Sequence, residues 1–148
     1  MPPHHQRVAD LGCGSGVLGL ASLALGADEV LAADTDSLAV RATTDNAALN
    51  ALNADQLRVS HGSIDALATL LNGKPADLLL CNILAPVIEA LAPQFTSVLK
   101  PTGRGLLSGL LVDQAPRLIE VLAECGWQAR PIGEQGRWGL LEIKRILG

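Results

Sequence analysis

The sequence predicts an α/β fold: a mostly parallel sheet of seven strands, helices on both faces, and an antiparallel hairpin at the C-terminus. Three observations predict it. Short apolar runs alternate with longer helix-like stretches, the rhythm of strand–helix–strand units. One run, residues 76–81, is almost wholly apolar, as a strand covered on both faces must be. From Trp127 onward the pattern changes, and two strand-like runs flank the polar stretch Gly133-Glu134-Gln135-Gly136, which reads as a hairpin.

The elements follow in order. Arg7-Val8-Ala9-Asp10-Leu11 reads as a first strand running into a glycine-rich turn. Residues 16–25 read as a helix closed by Gly26. A second strand, 29–33, ends on Asp34, and Asp36 is placed to cap a helix from Ser37 to about Leu52. Residues 57–61 form a short third strand, and Ser63 precedes a brief helix through Leu71. The central strand, 76–81, ends at Asn82. Pro86 suits the first turn of a helix reaching about Val98. Lys100-Pro101-Thr102-Gly103 reads as a turn and 105–109 as a fifth strand. Asp113 is placed to cap a helix ending near Cys125-Gly126, and the strands 127–132 and 138–146 complete the sheet.

With 148 residues the chain suits a single domain, assigned to 1–148. Hydrophobic residues make up 49% of it, with one Phe, two Trp and no Tyr, so the core must be aliphatic. A net charge of −4 and the lack of any Lys/Arg run disfavour a nucleic acid as direct partner. Cys13, Cys81 and Cys125 show neither metal-ligand spacing nor a disulfide framework, so no metal site is expected and they read as small buried hydrophobes in a reducing compartment. The polar start, Met1-Pro2-Pro3-His4-His5, does not read as a secretion signal, and no apolar stretch reaches the ~18–20 residues of a membrane helix. A soluble cytoplasmic protein without membrane contact is the expectation.

The chemistry concentrates in Asp10-Leu11-Gly12-Cys13-Gly14-Ser15-Gly16. A strand that enters Gly-x-Gly-x-Gly and then a helix lets bare backbone approach a ligand, because Gly12, Gly14 and Gly16 carry no side chain. The helix N-terminus behind it adds free N–H groups. The loop alone is ambiguous, since Gly14-Ser15-Gly16-Val17-Leu18-Gly19 also fits a dinucleotide fingerprint, and Asp34 lies where either ligand wants an acid for its ribose. Two features favour S-adenosylmethionine. Asp10 would repel a pyrophosphate but attract a sulfonium and an ammonium, directly or through water. The terminal hairpin is associated with methyltransferases rather than with dinucleotide domains. In this reading Asp34 accepts both ribose hydroxyls. Ser63 offers its N–H or hydroxyl to the adenine edge, with a helix cap as the alternative. Asp36 reads as a helix cap, and the histidines carry no catalytic weight.

Asn82-Ile83-Leu84-Ala85 leaves the central strand at the rim that holds the glycine loop. A buried strand has no structural need for Asn at its mouth. The carboxamide oxygen of Asn82 and a backbone carbonyl, Ile83, would accept hydrogen bonds from an amine and aim its lone pair at the methyl group. Turning or capping the chain is the plain alternative.

These runs, Asp10 to Gly19, Asp34-Thr35-Asp36, Asn82-Ile83-Leu84-Ala85, Leu107-Ser108-Gly109-Leu110-Leu111 and the hairpin with Gly136-Arg137-Trp138, together resemble the catalytic domain of the PrmA-type ribosomal protein methyltransferases. The resemblance covers nearly the whole chain. It implies a Rossmann-like class I methyltransferase fold, S-adenosylmethionine as cofactor with contacts at Gly12, Asp34 and Asn82, and a protein of the large ribosomal subunit as substrate. Members of that family carry an N-terminal recognition domain, a linker and a Thr-containing segment that closes over the cofactor. This chain begins about five residues before its first strand, so the resemblance implies a piece of a longer protein or a reduced relative, with an open cofactor pocket. A different N-methyltransferase on the same fold and a non-catalytic cofactor-binding module remain the competing readings. No residue stands out as a dedicated base, so water is expected to take the amine's proton.

Overall fold

A computed structural model describes residues 3–146, so the ends of the assigned domain, 1–2 and 147–148, lie outside the described residues. The chain runs β1 (Arg7–Leu11), α1 (Val17–Ala24), β2 (Glu29–Asp34), α2 (Ser37–Leu49), β3 (Leu57–His61), α3 (Ile64–Leu71), β4 (Ala76–Asn82), α4 (Ala85–Leu91), β5 (Leu99–Leu111), α5 (Ala115–Glu124), β6 (Trp127–Gln135) and β7 (Trp138–Arg145). All seven strands join one sheet in the order β3-β2-β1-β4-β5-β7-β6. Among the described residues β7 alone runs opposite to the other six strands, pairing antiparallel with β5 on one side and β6 on the other.

The order reverses between β1 and β4, which pair in parallel from Val8–Leu78 to Leu11–Cys81. Chain leaving β1 turns toward β2, and chain leaving β4 turns toward β5. A crevice opens at the carboxyl ends of the strands where the two halves diverge, the usual place for a ligand in an open α/β sheet.

Side-chain alternation along each strand supplies two cores. On one face Ala9, Leu11, Leu31, Ala33, Leu79 and Cys81 meet Ile64, Leu67 and Leu71 of α3, Ile88 of α4, and Leu118 and Leu122 of α5. Phe95 and Trp127 fill the same side, with ring centroids 6.3 Å apart in an edge-on arrangement. On the other face Val8, Val30, Leu57, Leu78 and Leu80 pack with Ala47, Leu20 and Leu23 beneath α1 and α2.

Several boundaries differ from the sequence expectation. The helix expected from Pro86 to Val98 ends at Leu91 and continues as a 3-10 turn, Ala92–Ser97. Pro93 explains the break, because it lacks an N–H and its ring clashes with the preceding helical turn. The turn at 100–103 exists as an excursion within β5, whose register against β4 jumps from Ala76–Leu99 to Leu78–Arg104. Asp113 does not cap α5. It sits in a short 3-10 turn, Val112–Gln114, where the side chain of Gln114 accepts from the Leu111 N–H at 2.8 Å. Asp36 does cap α2, accepting from the Leu38 N–H at 2.9 Å. The hairpin is tighter than the expected polar loop. β6 extends to Gln135, opposite Trp138, leaving a two-residue turn whose first member, Gly136, has φ of 60°. That is the position where a tight hairpin turn reserves its glycine.

Candidate functional site

Backbone hydrogen bonds shape the loop after β1. The N–H groups of Gly12 and Cys13 both donate to the Ala33 carbonyl, at 2.8 and 3.2 Å, and Gly16 N–H donates to the Cys13 carbonyl at 2.8 Å. Helix α2 braces the loop from outside. Thr43 Oγ1 donates to the Gly14 carbonyl at 2.9 Å, and Asn46 Nδ2 donates to the Ser15 carbonyl at 2.8 Å. Thr43 and Asn46 are three apart, hence on one helix face. Sequence reasoning passed over both, although that spacing was the available signal.

Asp34 closes the loop. Its Oδ2 accepts from Gly14 N–H at 3.0 Å and its Oδ1 from Asp36 N–H at 2.9 Å. A carboxylate has room for about four donors, so two positions stay open toward the crevice. The next strand brings Gly62 alongside, its N–H donating to the Asp34 carbonyl at 2.9 Å.

A cavity of about 380 Å³ lies at this strand-end rim. Gly12, Gly14, Asp34, Ser63, Asn82 and Ile83 all line it, so six of the residues expected from sequence converge. Thr35 and Leu84, from the two motif runs at this rim, also line it, as do Val87 and Leu91, for whose place sequence patterning gave no cue. Ser63 makes no capping hydrogen bond to α3, which favours its place in the cavity over the cap. Gly12 has φ of 76°, and a Cβ there would meet Ile83 Cγ2 at 2.5 Å, so only glycine fits between the loop and β4's exit.

Asp10 and Gly16 lie beside the cavity rather than in it. Gly16 is enclosed by Thr43, which a Cβ would meet at 3.0 Å. Alternation along β1 puts Asp10 on the face of Val8, under α1, with only 1% of its surface exposed. A direct contact between its carboxylate and a cofactor in the crevice is therefore blocked. Among the described residues neither oxygen meets the geometry of a hydrogen bond. Burial, and secondarily the negative charge of Asp34, push its pKa up to about 7, against a partial opposing pull from the Gly19 backbone.

On the far side of Asn82 a second cavity of about 510 Å³ opens, lined by Asn82, Ile83, Leu84, Ser108, Gly109, Trp138 and Gly139. The two cavities share Asn82, Ile83 and Leu84. Asn82 pairs with Ser108 across β4 and β5. Gly109, with φ of 85°, passes so close that a Cβ would sit 2.6 Å from the Ile83 carbonyl oxygen and 2.9 Å from Asn82 Oδ1. Among the described residues neither oxygen accepts a hydrogen bond. Both oxygens belong to residues that line both cavities. Elsewhere, among the described residues, no three His, Cys, Asp or Glu side chains converge as a metal site, and no helix is long and apolar enough to cross a membrane.

The fold and crevice are those of the class I, Rossmann-like methyltransferases. The chain superposes on a ribosomal protein L11 methylase from Lactobacillus delbrueckii subsp. bulgaricus with TM-score 0.82 and 35% identity, covering 95% of this chain and 70% of that one. It also matches a T. thermophilus 16S rRNA N2 G1207 methyltransferase (RsmC), solved with AdoMet and guanosine, at TM-score 0.73 and 22% identity over 96% of this chain and 38% of that one. That second likeness concerns the fold alone. A family model described as ribosomal protein L11 methyltransferase (PrmA) matches residues 2–146. A ribosomal protein L11 methyltransferase of Parasynechococcus marenigrum (strain WH8102) is 69% identical over 144 residues, 97% of this chain and 50% of that protein. One from Thermosynechococcus vestitus is 44% identical over 137 residues, 93% of this chain and 44% of that protein. The chain belongs to the ribosomal protein L11 methyltransferase (PrmA) family, and it spans about half the length of the curated relatives it matches.

Proposed function

We propose that this chain is the S-adenosylmethionine-dependent domain of an N-methyltransferase that modifies amino groups, lysine side chains or the N-terminal amine, of ribosomal protein L11. The observation that carries the reading is the meeting of two cavities at Asn82 and Ile83, whose side-chain and carbonyl oxygens lie side by side against Gly109. The names of the relatives support the substrate.

The residues present fit the cofactor. Gly12 leaves a cradle that a Cβ would fill, and Asp34 presents a carboxylate, already oriented by two N–H groups, for a vicinal diol. Ser63 and Gly62 would take the adenine end, and Leu84, Val87 and Leu91 give the cavity an apolar wall. Gly14 shapes the loop with Asp34. Asp10 and Gly16 lie behind it, outside the cavity lining. Bound there, the cofactor supplies an electrophilic methyl group on a sulfonium.

The chain's own work is positioning. Asn82 Oδ1 and the Ile83 carbonyl accept two N–H groups of the incoming amine, which fixes the direction of its lone pair. A lysine amine must first lose a proton, which costs roughly 4–5 kcal/mol at pH 7 from an ordinary pKa of ~10.4. None of the residues lining the second cavity is an acid, so no carboxylate there pins the amine in its charged form. The proton leaves to water through the open mouth.

The test is methylation of purified L11, read by intact mass, with the native protein and Asn82→Ala. Native protein adds methyl groups, and Asn82→Ala loses about 100-fold in kcat, as expected for one oriented acceptor, while cofactor affinity falls only a few-fold. Equal rates for both proteins would refute the role of Asn82. Transfer to a different acceptor in preference to L11 would refute the substrate.

A further inference from the structure

The two tryptophans occupy opposite situations. Trp127 is fully buried, with the Arg145 guanidinium over its ring at 5.1 Å. Trp138 is 52% exposed and lines the second cavity together with Asn82. No ring, cation or hydrogen-bond contact engages its indole among the described residues. Its position is nonetheless firmly set. It is the first residue of β7, in register with Leu111 of β5 and Gln135 of β6. The preceding turn is tied down by the Val112 N–H, which donates to the Arg137 carbonyl at 2.7 Å. An exposed indole on a rigid strand, facing a cavity, is a preformed surface for a ligand.

The cavity's chemistry narrows the ligand. Its lining offers one indole, the oxygens of Asn82 and Ile83, the Ser108 hydroxyl and the aliphatic Leu84, with no Asp or Glu. Such a lining suits a slender cation, whose charge rests over a π face and on neutral oxygens, and whose methylenes lie against Leu84. A carboxylate would bind the same cation more firmly but would also keep it protonated and unreactive. We propose that Trp138 determines acceptor specificity: its indole face receives the alkylammonium group of the acceptor, before that group gives up its proton between Asn82 and Ile83. The inference rests on the proposed N-methyltransferase reading and adds to it the residue that selects a flexible alkylamine over hydroxyl, carboxamide or carboxylate acceptors.

Two tryptophans give two indole N–H signals in a ¹⁵N-correlated NMR spectrum, and Trp138→Phe assigns them. Titration with n-butylammonium chloride should move the Trp138 signal and leave that of Trp127 in place. n-Butanol and sodium butyrate at matched ionic strength should move neither. A Trp138 signal that stays still, or that responds equally to butanol, overturns the proposal. In the transfer assay with L11, Trp138→Ala should raise KM roughly tenfold, with kcat within about threefold of native and unchanged S-adenosylmethionine affinity by calorimetry. Trp138→Phe should recover most of that loss. A native KM in Trp138→Ala, or a loss carried wholly by kcat, overturns the proposal as well. If the native protein transfers no methyl group to L11, the proposed function fails, while the indole titration still decides for or against Trp138.

Discussion

Replacing Asp10 with asparagine should make the ligand-free protein more stable at alkaline pH. Its carboxyl is buried under α1, with neither oxygen hydrogen-bonded among the described residues, and its pKa is raised from 3.8 to about 7. The folded state therefore favours the neutral form, while the unfolded chain ionises near 4. The contribution is fully present below pH ~4 and is lost as pH climbs through about 7. The whole difference amounts to roughly 4 kcal/mol, of which roughly 2.5 falls between pH 5 and 8. Asp77 and Glu142 have lowered pKa values and stay ionised across that window, so they do not mask the effect. Asparagine mimics the protonated acid at every pH. Urea unfolding followed by circular dichroism at pH 5, 6, 7 and 8, without cofactor, measures both proteins. The native protein should lose roughly 2.5 kcal/mol across the series, or about 5–10 °C in Tm, and Asp10→Asn should stay nearly flat. Parallel pH profiles, or an Asp10→Asn protein less stable than native at pH 8, would refute the argument from burial.

Two further predictions concern fit and charge. Gly109→Ala places a methyl group against the Ile83 carbonyl oxygen and Asn82 Oδ1 at a φ of 85°, so methyl transfer should fall more than about 100-fold, read by intact mass of L11, with a Tm loss of a few degrees. Glu142 accepts from Arg104 at 2.6 Å and from Arg130 at 2.9 Å, with 6% of its side chain exposed. Chiefly the Arg104 hydrogen bond holds its carboxyl below the usual range. Glu142→Gln should cost roughly 1–2 kcal/mol at pH 7, less than a fully buried pair, because Arg130 is 67% exposed. That cost should vanish as pH falls and the native carboxylate is protonated, which a pH series of thermal melts will show.

The strand–helix rhythm was legible because each strand's apolar run is local, and the glycine loop was legible because close backbone approach leaves residues without side chains at fixed spacing. What escaped had non-local or competing causes. Pro93 cuts α4 short although the surrounding pattern continues to read as helix. The register jump in β5 absorbs a turn that looked like an interruption between elements. The acid of Asp10 was visible, but the face it occupies depends on the phase of β1, which turns it from the crevice toward α1. Trp138 lies 56 positions after Asn82 and reaches it only because β7 inserts beside β5, and sequence spacing carries no trace of that pairing. Residues on strand ends in parallel order, Gly12, Asp34 and Asn82, could be assembled from sequence because a parallel sheet brings successive carboxyl ends to one rim.

The most direct test of the account is a calorimetric titration of the protein with S-adenosylmethionine, repeated with Asp34→Ala. One-site saturable binding in the native protein, weakened at least tenfold when the Asp34 carboxylate is removed, is the predicted result. No saturable binding, or an affinity indifferent to Asp34, would contradict a cofactor site at the ends of β1, β2 and β4.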